Sequence, residues 1–431
     1  MAMPAHLEPV AYQLFEEACC GSRSMWPIDT ARFKEDKEYR AEFYRLAHQG
    51  WWNAQEMFLE RITSNEPFVP GEEALYRMAM DTIAWTMIQK QLCYARRFFK
   101  EKRQPSLEHS NLESVIGVAK HVRGESPHCM PLIADLTTFV QVGDLLIYDH
   151  AQGKMAIAEV KEGEKNQDLS RKVMFYKSSG CEQFKQFALQ DESAKTAKQF
   201  ERMARQVDRM QFVTEALSDK KTRDPDTSKE VHIRERFVPI DEWDEELNSV
   251  CDEAMEKGWA INMVDNCLFL GAYTQRFLPM SSTMFWLWMK PFAEGEQTPV
   301  ARLIDCVGQP LALPLPCLML EPSRIMDLLF GRLHVCMGIS IPDLVAECER
   351  NGITVRPPKN KQERKTTNSW GQDSIRYQGQ PIVLERDGKV VFPAAGIFVR
   401  SLFHFQRPMA FINAMFELND DEDEMEPAET T

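Results

Sequence analysis

The chain has 431 residues, 44% of them hydrophobic, and a net charge of −14. That length predicts two or three domains with cores of their own, no apolar run is long enough to span a bilayer, and Met1 to Val10 lack a secretory pattern. The acidic balance argues against tight, sequence-independent binding of nucleic acid by the surface as a whole.

The first hundred residues read as helical. Apolar positions recur at helical spacing through Tyr39 to Phe58 and through Ala74 to Phe99, with Asn65-Glu-Pro-Phe-Val-Pro-Gly71 as the turn between them. Lys100 to Pro105 forms a basic exit. Ser110 then opens a short helix, and Glu113 three residues on completes a capping-box pattern. His128 and Cys129 are neighbours, but no residue near them in sequence completes a ligand set. The eleven cysteines include no Cys-x-x-Cys pair. No structural zinc and no disulfide framework are expected, and the thiols suit a reduced, cytoplasmic protein.

Two short strand-type runs follow, Val142-Gly-Asp-Leu-Leu-Ile-Tyr148 and Met155-Ala-Ile-Ala-Glu-Val-Lys161, around a polar turn from Asp149 to Lys154. Paired residue numbers in an antiparallel hairpin sum to a constant. If Asp149 and Lys154 close the turn, that sum is 303 and Asp144 lies opposite Glu159. Directly opposed residues share a face, with Cβ atoms about 4.5–5.5 Å apart. Lys161, two residues beyond Glu159, shares that face. Facing carboxylates repel unless a cation lies between them, and Mg²⁺ or Mn²⁺ prefers such oxygen donors. A bound metal stabilises charge on a phosphate oxygen and acidifies an attacking water, and a lysine beside it can orient that water. These residue types fit phosphodiester hydrolysis.

Beyond Lys161, Glu162 to Ser170 reads as a polar loop and Cys181 to Leu217 as helical. Phe200, Met203, Ala204, Val207 and Met210 form an apolar stripe expected to pack on the sheet. Lys198, Arg202, Arg205 and Arg209 form a basic stripe flanked by Gln199 and Gln206. It is either a phosphate-contacting face or an exposed face relieved by Glu201–Arg205 pairing. Ser218 to Glu230 reads as a flexible loop, and Val231 to Val238 as a strand closing the core sheet.

From Asp241 onward, Ala260 to Tyr273 and Leu311 to Leu320 read as strand segments, and Pro322 to Phe330 and Ile341 to Asn351 as helices. Pro381 to Glu385 and Lys389 to Phe392 flank an Asp387-Gly388 hairpin turn. Arg356 to Lys365 reads as a mobile basic loop. After Asn419, seven acidic residues from Asp420 to Glu429 predict a solvated, disordered tail.

An acid-x-Lys triplet also occurs at Glu35/Lys37, Asp219/Lys221, Glu363/Lys365 and Asp387/Lys389, but only Glu159/Lys161 lies in an apolar strand that follows a second strand carrying Gly143-Asp144. Here the chain resembles the PD-(D/E)XK nuclease superfamily, over Ser106 to Val238. Asp144 matches the first motif and Glu159-x-Lys161 the second, with Gly143 where the leading Pro would stand. The stretch Ala134 to Thr138 followed by Val142-Gly-Asp144 looks like bacterial members of that group.

The resemblance implies an α/β protein with a restriction-endonuclease-like mixed sheet flanked by helices. It also implies a Mg²⁺- or Mn²⁺-dependent endonuclease, with DNA the favoured substrate and defence against foreign DNA or repair as its role. Asp144 and Glu159 would hold the metal, the Val160 carbonyl complete its coordination, Lys161 position the water and Glu113 add a further carboxylate. Lys198, Arg202, Arg205, Gln206 and Arg209 would bind nucleic acid. The expected organisation is a helical region over 1–105, the nuclease-like core over 106–240, an α/β accessory domain over 241–418 and an acidic tail over 419–431. The accessory domain or tail would meet protein partners, and no membrane is involved. The rivals are a non-catalytic nucleic-acid-binding or scaffold protein that keeps the fold, and a nucleotide phosphohydrolase, for which no base-binding motif is visible.

Overall fold

A computed structural model describes residues 2–64, 66–100, 107, 112–190, 192–218, 221–225, 230–232, 240–293, 298–369 and 371–423. The chain is mixed α/β with small antiparallel sheets. It divides into two compact units, residues 10–233 and residues 1–9 with 234–431.

The first unit begins with α1 (Glu8–Cys20), α2 (Thr30–Glu35), α3 (Lys37–Thr63), α4 (Glu72–Met87), α5 (Leu92–Phe98) and α6 (Leu112–Glu125). The helical pattern expected over Ala74 to Phe99 is broken at Gln89 and Lys90, both at φ +56°, so it forms two helices. The expected Ser110 cap and most of the basic exit from Lys100 lie outside the described residues. The sheet follows, with β1 (Cys129–Ile133), β2 (Leu145–Asp149) and β3 (Lys154–Ala158) in the order β1-β2-β3. Both pairings are antiparallel, so among the described residues the expected mixed sheet is instead a three-stranded antiparallel one.

The helices before residue 105 and the three-stranded sheet lie in one unit, and α3 meets the sheet at β1. The fully buried Gln55 donates to the Pro131 carbonyl at 3.1 Å and accepts the Ile133 N–H at 2.9 Å. A side-chain amide thus satisfies the outer edge of β1, which would otherwise be open to further pairing.

After β3 come α7 (Glu164–Ser179), α8 (Glu182–Leu189), α9 (Ala194–Ser218), β4 (Lys221–Arg223) and β5 (Glu230–His232). Where a polar loop was expected over Glu162 to Ser170, α7 already runs from Glu164. Its Leu169 and Val173 are buried against Phe200, Met203 and Ala204 of α9, with Val207 packed against them, so four of the five residues of the apolar stripe expected on the sheet pack on a helix. The helix expected from Cys181 to Leu217 is two helices, the second capped by Ser193 Oγ accepting the Thr196 N–H at 3.1 Å. The supposed loop from Ser218 contains β4, which pairs with β5 in a separate two-stranded sheet. Of the strand expected over Val231 to Val238, only Val231 and His232 are paired, and residues 233–239 lie outside the described residues.

The second unit contains α10 (Asp244–Lys257), β6 (Trp259–Val264), β7 (Leu268–Thr274), α11 (Ser281–Ala293), β8 (Val300–Arg302), α12 (Pro322–Leu329), β9 (Leu333–Ile339) and α13 (Ile341–Arg350). It continues with β10 (Thr354–Arg356), α14 (Lys361–Ser369), β11 (Arg376–Tyr377), β12 (Gln380–Pro381), β13 (Val383–Arg386), β14 (Lys389–Val391), α15 (Gly396–Phe403) and α16 (Pro408–Asp423). Its main sheet has the order β6-β7-β9-β8, with Phe269, Tyr273, Phe285, Met289 and Cys336 as a buried cluster. The Asp387-Gly388 turn forms as expected, both residues at positive φ. The strand expected over Leu311 to Leu320 does not form; Pro314 and Pro316 lack the N–H groups a ladder needs, and a short 3-10 turn stands there. The supposed mobile loop from Arg356 is anchored: Arg356 is buried and pairs with Glu363 at 2.9 Å and with Glu385. Where disorder was expected from Asn419, α16 continues to Asp423, and the rest of the tail lies outside the described residues.

Candidate active site

The hairpin register expected from sequence holds. Every pair from Leu145 with Ala158 to Asp149 with Lys154 sums to 303. Asp144 and Glu159 therefore stand one residue beyond the last pair, at the open end of the hairpin, and not within the strands. There the backbone leaves the ladder. The Asp144 N–H bonds the Ala158 carbonyl at 2.8 Å, and the Asp144 carbonyl accepts the Ala134 N–H at 2.9 Å. One residue is thus fixed to both flanking chain segments.

Gly143 makes this bend possible. Its φ is +77°, and a Cβ there would stand 2.3 Å from Ile157 Cγ2 and 3.0 Å from the Ala158 oxygen. Proline is locked near φ −65°, so the leading Pro of the motif has no room in this geometry.

Asp144 Oδ2 accepts the Val160 N–H at 2.6 Å. Lys161 Nζ donates to Glu159 Oε1 at 2.5 Å and reaches Gln206 Oε1 at 3.5 Å. The side chains of Glu159 and Lys161 are only 17% and 21% exposed. Burial, and then the charge of Glu159, pushes the Asp144 carboxyl up to about 6; the Val160 hydrogen bond and the Lys161 charge pull the other way, and Asp135 adds to the rise. Glu159 and Lys161 are thus in direct contact, and the charges of both are felt at Asp144.

Asp135 is the acid that sequence reasoning passed over. It begins the turn between β1 and β2, and its place is set by α4. Arg77 Nη1 donates to the carbonyls of Asp135 and Thr137, each at 2.8 Å. Its signals in the sequence were its place in the stretch Ala134 to Thr138 and its position nine residues before Asp144, just after an apolar run. Glu113, the extra carboxylate expected, is exposed in the first turn of α6, and no described contact joins it to Asp144, Glu159 or Lys161.

The basic stripe of α9 separates into two kinds of residue. Lys198, Arg202 and Arg205 are exposed, and none forms an ion pair among the described residues. Glu201 pairs with Lys185 at 2.6 Å and not with Arg205. Arg209 is turned inward, where it donates to the Arg97 carbonyl at 3.2 Å, pairs with Asp224 at 3.5 Å and lies over the Phe212 ring. That packing removes it from the expected nucleic-acid face. Gln206 faces the site through Lys161, and Gln199 donates to Asn166 at 2.6 Å.

Carboxylate oxygens make up the donor set around Asp144, the choice of a hard divalent cation rather than a soft one. At the far end of β2 the β1–β2 register brings Asp149 opposite Cys129. Asp149 completes a three-residue group with His128 and Cys129, where sequence neighbours alone had offered no ligand set. In comparisons with known proteins, the chain matches no family model, no curated protein and no solved structure.

Proposed function

We propose that the hairpin end hydrolyses phosphodiester bonds in nucleic acid, DNA favoured, within a restriction-endonuclease-like core that uses Mg²⁺ or Mn²⁺. The observation that carries this reading is the Lys161–Glu159 ion pair beside a partly buried Asp144, whose carboxyl is pushed up to about 6 first by burial and then by the charge of Glu159. Asp144 and Glu159 would hold the cation, with the Val160 carbonyl beside them and Asp135 close enough to share the negative field. When bound, the cation supplies charge stabilisation at a phosphate oxygen and a more acidic water.

The remaining work falls to the chain itself. The Val160 N–H orients the Asp144 carboxylate through a 2.6 Å hydrogen bond. Glu159 and Gln206 hold the Lys161 ammonium at the site, where it stabilises negative charge developing on a phosphate. The exposed Lys198, Arg202 and Arg205 offer phosphate contacts that carry no sequence information.

Calorimetric titration with Mn²⁺ and a plasmid-nicking assay, run on wild type and Asp144→Asn, test the reading. Wild type should bind the ion and nick; the variant should lose both while keeping its circular-dichroism spectrum and melting transition. The second reading, a non-catalytic nucleic-acid-binding or scaffold protein, draws on the close Lys161–Glu159 pair, which already satisfies much of the local charge. Ion binding without cleavage of any DNA or RNA form would decide for it.

A further inference from the structure

The strand that carries Asp144 at one end carries a different set of donors at the other. Asp149 is the cross-strand partner of Cys129, and one ligand atom from each of His128, Cys129 and Asp149 lies within 4.8 Å of the others. His128 Nε2 stands 3.7 Å from Asp149 Oδ2. Asp149 divides its oxygens between two tasks. Oδ1 accepts the Ala151 and Gln152 N–H groups at 2.9 and 3.1 Å and shapes the hairpin turn, while Oδ2 is directed toward the imidazole.

Two further imidazoles adjoin this group. The His150 ring centroid lies 6.3 Å from that of His128 and 4.9 Å from that of His48, and His150 stacks on Tyr44. His48 is 5% exposed, yet among the described residues neither of its ring nitrogens has a hydrogen-bond partner, and His150 Nδ1 has none. Buried polar atoms without partners are costly, and each calls for a physical reason. A cavity of about 500 Å³ is lined by His48, Trp52, Arg123, Pro127 and Cys129 among others. His48 and Cys129 therefore line the same space.

We propose that His128, Cys129 and Asp149 bind a divalent transition metal of the zinc class, with its fourth position facing the cavity shared with His48. The inference is independent of the hydrolytic reading of the Asp144 end. A mixed nitrogen, sulfur and oxygen set suits Zn²⁺ or Co²⁺ and disfavours Mg²⁺ and Ca²⁺, which avoid thiolate. Zinc bonds of about 2.0–2.3 Å in a tetrahedron place ligand atoms roughly 3.3–3.8 Å apart. The observed spacing thus needs a contraction that side-chain rotation can supply. Binding replaces the Cys129 proton, which leaves to solvent. The bridge would tie β1 to β2 at the end away from Asp144.

Co²⁺ titration of the reduced, metal-stripped full chain tests the proposal. One equivalent should produce a thiolate-to-cobalt charge-transfer band with tetrahedral visible bands, and Zn²⁺ should bleach both. Cys129→Ser should lose the charge-transfer band. His128→Gln and Asp149→Asn should weaken binding by about tenfold or more, since even residues that only support metal ligands cost that much. A band that survives in Cys129→Ser, or no band at stoichiometric Co²⁺, overturns the assignment. Alkylation of the wild type guards against a variant that fails to fold. Zn²⁺ should slow iodoacetamide labelling of Cys129 more than that of Cys181, and Mg²⁺ should not. Equal labelling of Cys129 with and without Zn²⁺ also overturns it. Plasmid nicking in Mg²⁺ is read separately, so failure of either site leaves the other standing.

Discussion

Asp81 holds Thr138 by both its backbone and its side chain: Oδ1 accepts the Thr138 N–H and Oδ2 the Thr138 hydroxyl, each at 2.7 Å. Arg77, one helical turn earlier, holds the carbonyls of Asp135 and Thr137. Two side chains of α4 therefore fix the connection from β1 to Asp144, including the acid that acts on Asp144 across the site.

This grip should make stability depend on pH. Burial pushes the Asp81 carboxyl up to about 7, against the two Thr138 hydrogen bonds and the charge of Arg77. The unfolded value is about 3.9, so the folded chain holds the proton more tightly. The resulting stabilisation is complete below about pH 4 and is lost as pH rises toward about 7, at up to about 1.4 kcal/mol per pH unit. Asp81→Asn keeps an acceptor for the Thr138 N–H but cannot titrate. Its urea midpoints between pH 4 and 7 should therefore form a flatter curve than those of wild type, and parallel curves would locate the dependence elsewhere.

Gly143 and Gly153 make a matched pair. Both have positive φ, but a Cβ at Gly143 would strike Ile157 while one at Gly153 would meet open space. Gly143→Ala should lower stability in urea by about 1–3 kcal/mol from overpacking alone and impair nicking. Gly153→Ala carries only the backbone penalty and should nick normally. Equal losses in the two variants would mean that the bend before Asp144 is not sterically closed.

Lys161→Ala should separate metal binding from turnover. The ammonium is a cation and no ligand, and removing it frees Glu159 from its ion pair. Mn²⁺ affinity should stay level or rise while nicking falls by about a hundredfold or more. A parallel loss of both would make Lys161 a structural support for Glu159.

On α9 the exposed and inward cations should behave differently. The double change Arg202→Ala, Arg205→Ala should reduce the salt slope of DNA binding by about two units, about one per phosphate contact. It should leave stability unchanged. Arg209→Ala should instead lower the urea midpoint, because its ion pair with Asp224, its hydrogen bond to the Arg97 carbonyl and its packing on Phe212 are lost, and should hardly alter the slope. An unchanged slope in the double variant would make the stripe a merely solvated face.

The hairpin register was legible in sequence because a turn and two short apolar runs leave one pairing that keeps Leu145, Leu146 and their partners in register. The same arithmetic could not foresee that the ladder would stop at Leu145 and Ala158, since that depends on Gly143 and on a carbonyl of β3. Contacts distant in sequence were the harder part. Nothing in the sequence local to Asp135 points to Arg77, and Cys129 meets Asp149 only through the β1–β2 register, a pairing with no tight turn to announce it. Arg209 and Arg356 looked like solvent-facing cations because composition does not show which acid a long side chain will find. The two prolines near Leu315 were visible, and their missing N–H groups should have weighed more than the apolar run around them.

The position of β2 between two partners bears on which changes in length the chain can absorb. Its register is fixed on one side by β1 and on the other by β3, and the carboxylates of the two proposed sites flank or end it at Asp144 and Asp149. An insertion at the exposed turn around Gly153 adds loop and leaves both alignments intact. An insertion within Leu145 to Tyr148 cannot: whichever neighbour keeps its pairing, one carboxylate rotates to the opposite face. Natural relatives of this chain should therefore differ in the length of the hairpin turn and agree to the residue in the spacing from Asp144 to Asp149.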